Sequence, residues 1–129
     1  MGDPMGVYDE HLYSWIYEEK QFIKDCIQAD KKILGICLGS HLLSVCLGAD
    51  VHPAENKEIG WFKVSPTEEC KKIGWLYDLF KDEPVVFHWH GDQFEIPLDG
   101  SFSFLESNAN RNQAFYHNEN MIKSQHHFL

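Results

Sequence analysis

The segment Ile33-Leu34-Gly35-Ile36-Cys37-Leu38-Gly39-Ser40-His41-Leu42-Leu43 constrains this chain more than any other. Residues 33–36 are short, apolar and preceded by Lys31-Lys32, which reads as a buried strand. Residues 38–47 read as a helix, with Gly48 placed as its C-terminal cap. No linker separates the two, so the backbone must break from strand to helix at Cys37. Such a break presents the turn residue at the end of the strand and aims the first helical amides at it, which is the geometry of a nucleophile elbow. Gly35 and Gly39 give that turn room, because side chains there would crowd the backbone and the neighbouring strand. The positive end of the helix dipole favours a thiolate at Cys37, and the amide of Leu38 can donate to a developing oxyanion. By local pattern alone, Cys37 reads equally well as a small core residue between packing glycines.

A nucleophile needs a fold to hold it, and 129 residues suffice for one domain that buries roughly two-thirds of its unfolded surface. Hydrophobic residues make up 43% of the chain and aromatics 14%, a globular balance, while a formal charge of −9 argues against nucleic acid as partner. A small neutral or cationic partner suits that charge better, and surface solubility accounts for the acidity equally well. The four cysteines, Cys26, Cys37, Cys46 and Cys70, form no CxxC pair, and no signal-peptide pattern precedes them, which fits a reduced, cytoplasmic protein. No apolar run approaches the ~20 residues of a membrane helix, so no membrane partner is expected.

Apolar residues at Leu12, Trp15, Ile16, Phe22, Ile23, Cys26 and Ile27 predict an amphipathic helix over 9–29. Residues 51–58 read as loop and 59–64 as a strand. Ser65, Pro66 and Glu68 have the pattern of a capping box opening a helix that runs to about Phe80, with Gly74 a weak point. Strands are expected at 85–90, closed by a Gly91-Asp92 turn, and at 101–106, 113–117 and 121–127, the last two joined by a turn at 118–120. Helices early and hairpin-like strands late imply an α/β domain with a mixed sheet.

A cysteine nucleophile wants a histidine base. His11, on the solvent side of the first helix, His52, in a loop, and His117, beside a turn, read as surface. His88 and His90 alternate on one strand and share a face; His126 and His127 point to opposite faces, so only one can aim at a given site. Zinc ligation by His88, His90, His126 and His127 lacks a cysteine or carboxylate spaced to complete a recognisable motif. No metal and no cofactor is expected.

Taken together, several segments resemble the class I glutamine amidotransferases, and within them the GMP-synthase-like branch. Residues 2–9 (GDPMGVYD) look like the family's GGPM-type loop, 35–43 like its GxCxGxQ elbow, 58–61 (EIGW) like a strand start, 88–92 (HWHGD) like another motif, and 112–115 (NQAF) with 125–127 (QHH) like the closing motifs. The resemblance implies a three-layer αβα, flavodoxin-like domain and hydrolysis of the glutamine side-chain amide through a Cys-His-Glu triad, or cleavage of γ-glutamyl compounds. Carried over by position, Cys37 is the nucleophile and His127 the general base. Leu38 and Asp3 flank the oxyanion hole, and His41, His90, Gly91 and Asp92 line the substrate pocket. An ammonia-accepting synthetase partner is also implied.

Five positions depart from that pattern. The triad acid would fall two residues after His127, where Leu129 stands. His41 replaces the elbow's glutamine, Asp3 replaces the second glycine of the GGP-type loop, and Lys123-Ser124 replace a small and an apolar residue. The family's opening strands also have no counterpart before residue 2, so 1–129 reads as a single, partial domain. An exposed sheet edge that could associate with another chain, including a second copy, is the expected consequence. The alternative to an enzyme is therefore a truncated or degenerate relative that binds or self-associates without turning glutamine over, and Glu95 or Glu106 are the carboxylates that could stand in for the acid.

Overall fold

Helix α1 runs over Trp15–Gln28, and Ile16 and Ile23, two turns apart, are its buried positions. In the computed structural model, which describes residues 5–118 and 121–124, the expected helix over 9–29 is split. A short 3₁₀ turn at Asp9–His11 precedes α1, set by the Asp9 carboxylate accepting the Gly6 amide at 2.7 Å. Leu12 and Phe22, counted as core by periodicity, are exposed. Strand β1 (Ile33–Ile36) follows, then α2 (Leu38–Cys46), with Cys37 alone between them. The C-terminus of α2 is closed by a Schellman motif: Gly48, at φ +85°, donates to Val45 O at 3.0 Å, and Ala49 donates to Ser44 O at 3.0 Å.

Strand β2 spans Val51–Lys63, so residues 51–58 are not loop. They pair with β4 (Val85–Phe94), Val51 opposite Phe94 and Pro53 opposite Asp92, and the register shifts between Pro53 and Glu58. Gly91 and Asp92 accordingly lie within the strand at this irregularity rather than in a closing turn. Proline is tolerated there because β2 and β4 form a two-stranded ribbon, which leaves one side of each strand without a ladder.

The expected capping box does not form. Ser65–Pro66 is strand β3, paired with Glu106 and Leu105, and the Ser65 hydroxyl donates to Glu83 at 2.9 Å. Thr67 takes the turn-forming role instead, accepting the Cys70 amide while its hydroxyl donates to Ser103 O at 2.8 Å. A 3₁₀ turn at Cys70–Lys72 then leads to α3 (Gly74–Phe80), which begins at the glycine read as a weak point.

Strands β5 (Ser101–Glu106), β6 (Ala114–His117) and β7 (Met121–Ser124) complete a five-stranded sheet of order β1-β7-β6-β5-β3. Only the β1–β7 pair is parallel, so the sheet is mixed as expected. Adjacent residues of β6 point to opposite faces. Phe115 joins a core with Ile16, Leu38, Leu42 and Phe94, and Ala114 joins a separate core with Leu76, Phe80 and Phe104. Helices α1 and α2 thus cover one face and α3 the other, giving the three-layer α/β arrangement. Strand β1 lies at one end of the order, and its Leu34 is 62% exposed. No helix among the described residues is long and apolar enough to cross a membrane.

Candidate functional site

Cys37 occupies the N-cap of α2 with φ 54° and ψ −122°, a combination that costs an L-residue about 1–3 kcal/mol and persists only where the surroundings impose it. What imposes it is the closeness of β1 and α2. A Cβ on Gly35 would stand 2.7 Å from the Gly39 carbonyl oxygen and 2.5 Å from Leu43 Cδ1, so only glycine lets the helix return this tightly over its own strand. The Cys37 carbonyl is held in turn by the Ser40 amide at 2.9 Å, the Ser40 hydroxyl at 2.6 Å and the His41 amide at 3.3 Å. The thiol is half-buried and unpaired. Leu38 is the first helical residue, so its N–H belongs to the set that a helix leaves without intrahelical acceptors.

His41 sits one turn further along α2, buried and edge-on to Phe94, with ring centroids 6.1 Å apart. Its Nε2 has no hydrogen-bond partner among the described residues. Burial, reinforced by the nearby His90, pushes its pKa down to about 4, so the ring is neutral near pH 7. In the unfolded chain the same ring titrates near 6.5. Between those values the unfolded state binds more protons. The stabilisation is therefore whole above pH 6.5, declines as pH falls toward about 4, and amounts to on the order of 3 kcal/mol. Urea unfolding of wild type and His41→Gln from pH 7 to pH 4 is expected to show a shallower acid slope for the variant; superimposable slopes would contradict the assignment.

On β2 and β4 the ribbon face turned inward carries Glu58, His88 and His90, all buried, while Ile59, Trp61 and Trp89 on the other face are exposed. His88 Nδ1 lies 3.5 Å from Glu58 Oε1, and His90 Nε2 lies 3.4 Å from Glu58 Oε2. Ser107 donates to Glu58 Oε1 at 2.7 Å, and Gln113 Nε2 donates to Glu58 Oε2 and, at 2.9 Å, to Ser107 Oγ. Burial pushes the Glu58 carboxyl up, but the contacts from His88, His90 and Ser107 outweigh it and hold it well below the usual carboxylate range. His88 and His90 share a face, as their alternation predicts. Glu58 was missed as a site residue because its partners stand some thirty positions later; its signal was an acid beginning an otherwise apolar, aromatic strand.

The remaining expected residues fall in three places. Gly91 and Asp92 follow His90 on β4, and the Asp92 carbonyl is 3.2 Å from His90 Nδ1. Asp3, His126, His127 and Leu129 lie outside the described residues. Strand β7 is described to Ser124, whose register partner on β1 is Ile36, the residue before Cys37. Of the histidines read as surface, His11 is exposed and His52 pairs with Glu95 at 2.7 Å from within β2. His117, by contrast, is buried, with Ser101 Oγ 2.6 Å from its Nδ1, because the β5–β6 pairing folds over it. Glu95 is thus engaged by His52, and Glu106 lies opposite Ser65 in the ladder.

Residues 4–127 match the family model described as glutamine amidotransferase class-I. The chain belongs to the class I glutamine amidotransferases. It is 35% identical over 99 residues to the GMP synthase of Lacticaseibacillus rhamnosus, a match covering 77% of this chain and 17% of that protein. It is 36% identical over 89 residues to a glutamine amidotransferase-like protein of Salmonella typhimurium, covering 69% of this chain and 37% of the other. Its structure superposes on a glutamine amidotransferase from Thermotoga maritima with a TM-score of 0.82 at 34% identity, covering 98% of this chain and 53% of that one. A Methylobacillus flagellatus glutamine amidotransferase gives 0.85 at 29%, covering 98% and 49%. The amidotransferase chain described here therefore spans about half the length of these solved relatives and about a sixth of the GMP synthase, and the flavodoxin-like fold class is that of its neighbours.

Proposed function

We propose that this chain is a glutamine amidotransferase domain that hydrolyses the glutamine side-chain amide, with Cys37 as nucleophile and His127 as general base. The observation that carries this reading is the strained backbone of Cys37 at the strand-to-helix break, held there by the tight return of α2 over β1. In the proposed reaction the Cys37 sulfur attacks the amide carbon, and His127 takes the thiol proton. The Leu38 amide, with the loop carrying Asp3, stabilises the oxyanion. Collapse of the tetrahedral adduct breaks the C–N bond, the proton passes from His127 to the leaving ammonia, and a thioester remains. Water, deprotonated by His127, attacks the thioester; glutamate leaves and the thiol is restored. His41, His90, Gly91 and Asp92 would bound the substrate, and γ-glutamyl compounds offer the same acyl group. Because relatives of this chain are GMP synthases, an ammonia-accepting synthetase is the proposed partner. A reducing, cytoplasmic setting suits this chemistry, and none of the four cysteines is in a disulfide.

A glutamine-mimicking diazoketone, which alkylates an activated thiol in a glutamine site, is expected to label Cys37 and to leave Cys26, Cys46 and Cys70 unmodified in peptide mass spectra. A folded protein without label on Cys37 would sink the proposal. The rival reading, a non-catalytic module that binds or self-associates, draws on the exposed β1 edge and on His41 in the elbow. Glutamate release that Cys37→Ala abolishes would eliminate it.

A further inference from the structure

We infer that Glu58, His88 and His90 form a binding site for a divalent first-row cation, zinc above all, beside the elbow. One ligand atom from each of the three residues lies within 4.8 Å of the others, and all three residues are buried. The inward spacing of the two histidines comes from their alternation on β4, and Glu58 is brought opposite His90 by the β2–β4 register. A His₂Glu set of this kind suits zinc and leaves a fourth position for water or a small polar ligand.

The hydrogen-bond pattern calls for a cation. The Asp92 carbonyl, 3.2 Å from His90 Nδ1, can only accept, so Nδ1 carries the hydrogen. In the neutral ring, Nε2 then turns a lone pair toward Glu58 Oε2, itself an acceptor, at 3.4 Å. Two acceptors face each other there, and something positive must lie between them, either a proton or a metal. Separations of 3.4 and 3.5 Å exceed the about 2.7–3.2 Å of N–H···O hydrogen bonds. Each is close to the edge of a tetrahedron built with zinc–ligand bonds of about 2.0–2.2 Å, which is about 3.3–3.6 Å, and each histidine approaches a different oxygen of the Glu58 carboxylate. The outer contacts also have the form found around metal ligands: a backbone carbonyl fixes the His90 tautomer, and Ser107 and Gln113 donate to the Glu58 carboxylate. Such an ion would tie the β2–β4 ribbon to the 107–113 loop, next to the ring of His41.

Zinc loading of the full chain followed by desalting and elemental analysis is expected to retain one ion per chain. Cobalt loading is expected to give the visible bands of a low-coordinate nitrogen and oxygen site without a thiolate charge-transfer band. Cys37→Ala and His52→Ala should keep the ion, Glu58→Gln and His90→Ala should lose it, and Ser107→Ala should weaken it by about 10–100-fold. Failure of the folded wild type to retain zinc would overturn the inference and leave a proton as the bridging charge. A thiolate band, or loss of the ion in Cys37→Ala or His52→Ala, would overturn it as well. Should Glu58→Gln or His90→Ala fail to fold, wild-type stoichiometry, the cobalt spectrum and Ser107→Ala decide.

Discussion

Replacing Leu129 with glutamate is expected to raise glutaminase activity, by up to ~10⁴-fold if the rest of the pocket is formed, since loss of the acid in a serine triad costs about that much. In the family pattern a carboxylate stands two residues after the histidine, and here that residue is Leu129. An imidazole that takes a thiol proton needs an acceptor on its far nitrogen, which fixes its tautomer and supports the charge it gains. Glutamate supplies both. Glutamate release from glutamine, followed by a coupled dehydrogenase assay, measures the gain, and adding Cys37→Ala to Leu129→Glu should erase it. An unchanged rate in a folded Leu129→Glu protein would move the limiting defect to the proposed oxyanion loop, where the family pattern has a glycine and this chain has Asp3.

Gly35→Ala is expected to be the most damaging single methyl in the described structure. The new Cβ would meet backbone at Gly39, 2.7 Å from its carbonyl oxygen, as well as Leu43 Cδ1 at 2.5 Å. Leu43 can change rotamer, but the Gly39 carbonyl belongs to the first turn of α2 and moves only if the whole helix does. A cost of about 3 kcal/mol follows, the upper range for overpacking, and it should appear as a lowered midpoint in denaturant at unchanged m. The same displacement would pull α2 away from β1 and relax Cys37, so diazoketone labelling should fall with stability. A loss under about 0.5 kcal/mol, the range of neutral surface changes, would show that strand and helix do not approach this closely.

These two positions mark how far reading along the chain reached. Gly35, Cys37 and Gly39 lie within five residues, and the short helix that returns over the strand makes their spacing a local geometric statement. The Gly48 cap was legible for the same reason, since the Schellman bonds span Ser44 to Ala49. The capping box at Ser65 misled because its three residues satisfy a local rule that the β5 ladder overrode. Once Ser65 and Pro66 pair with Glu106 and Leu105, the next hydroxyl, Thr67, makes the turn. Periodicity also overcounted the buried face of α1. Leu12 falls before the helix proper, and Phe22 faces outward beside the buried Ile23.

The sequence by itself determined the family, the mixed α/β class and the elbow at Cys37, because each rests on motifs or on residues a few positions apart. It also exposed the departures at Asp3, His41 and Leu129, which need no coordinates to be seen. Only the tertiary structure decided that residues 51–58 are strand, that His41 is a neutral ring sealed against Phe94, and that Glu58 faces His88 and His90. Those facts depend on strand register between segments some thirty residues apart, and on burial. Both are set by which surfaces meet when the chain folds, and neither is written in the order of residues along any one of them.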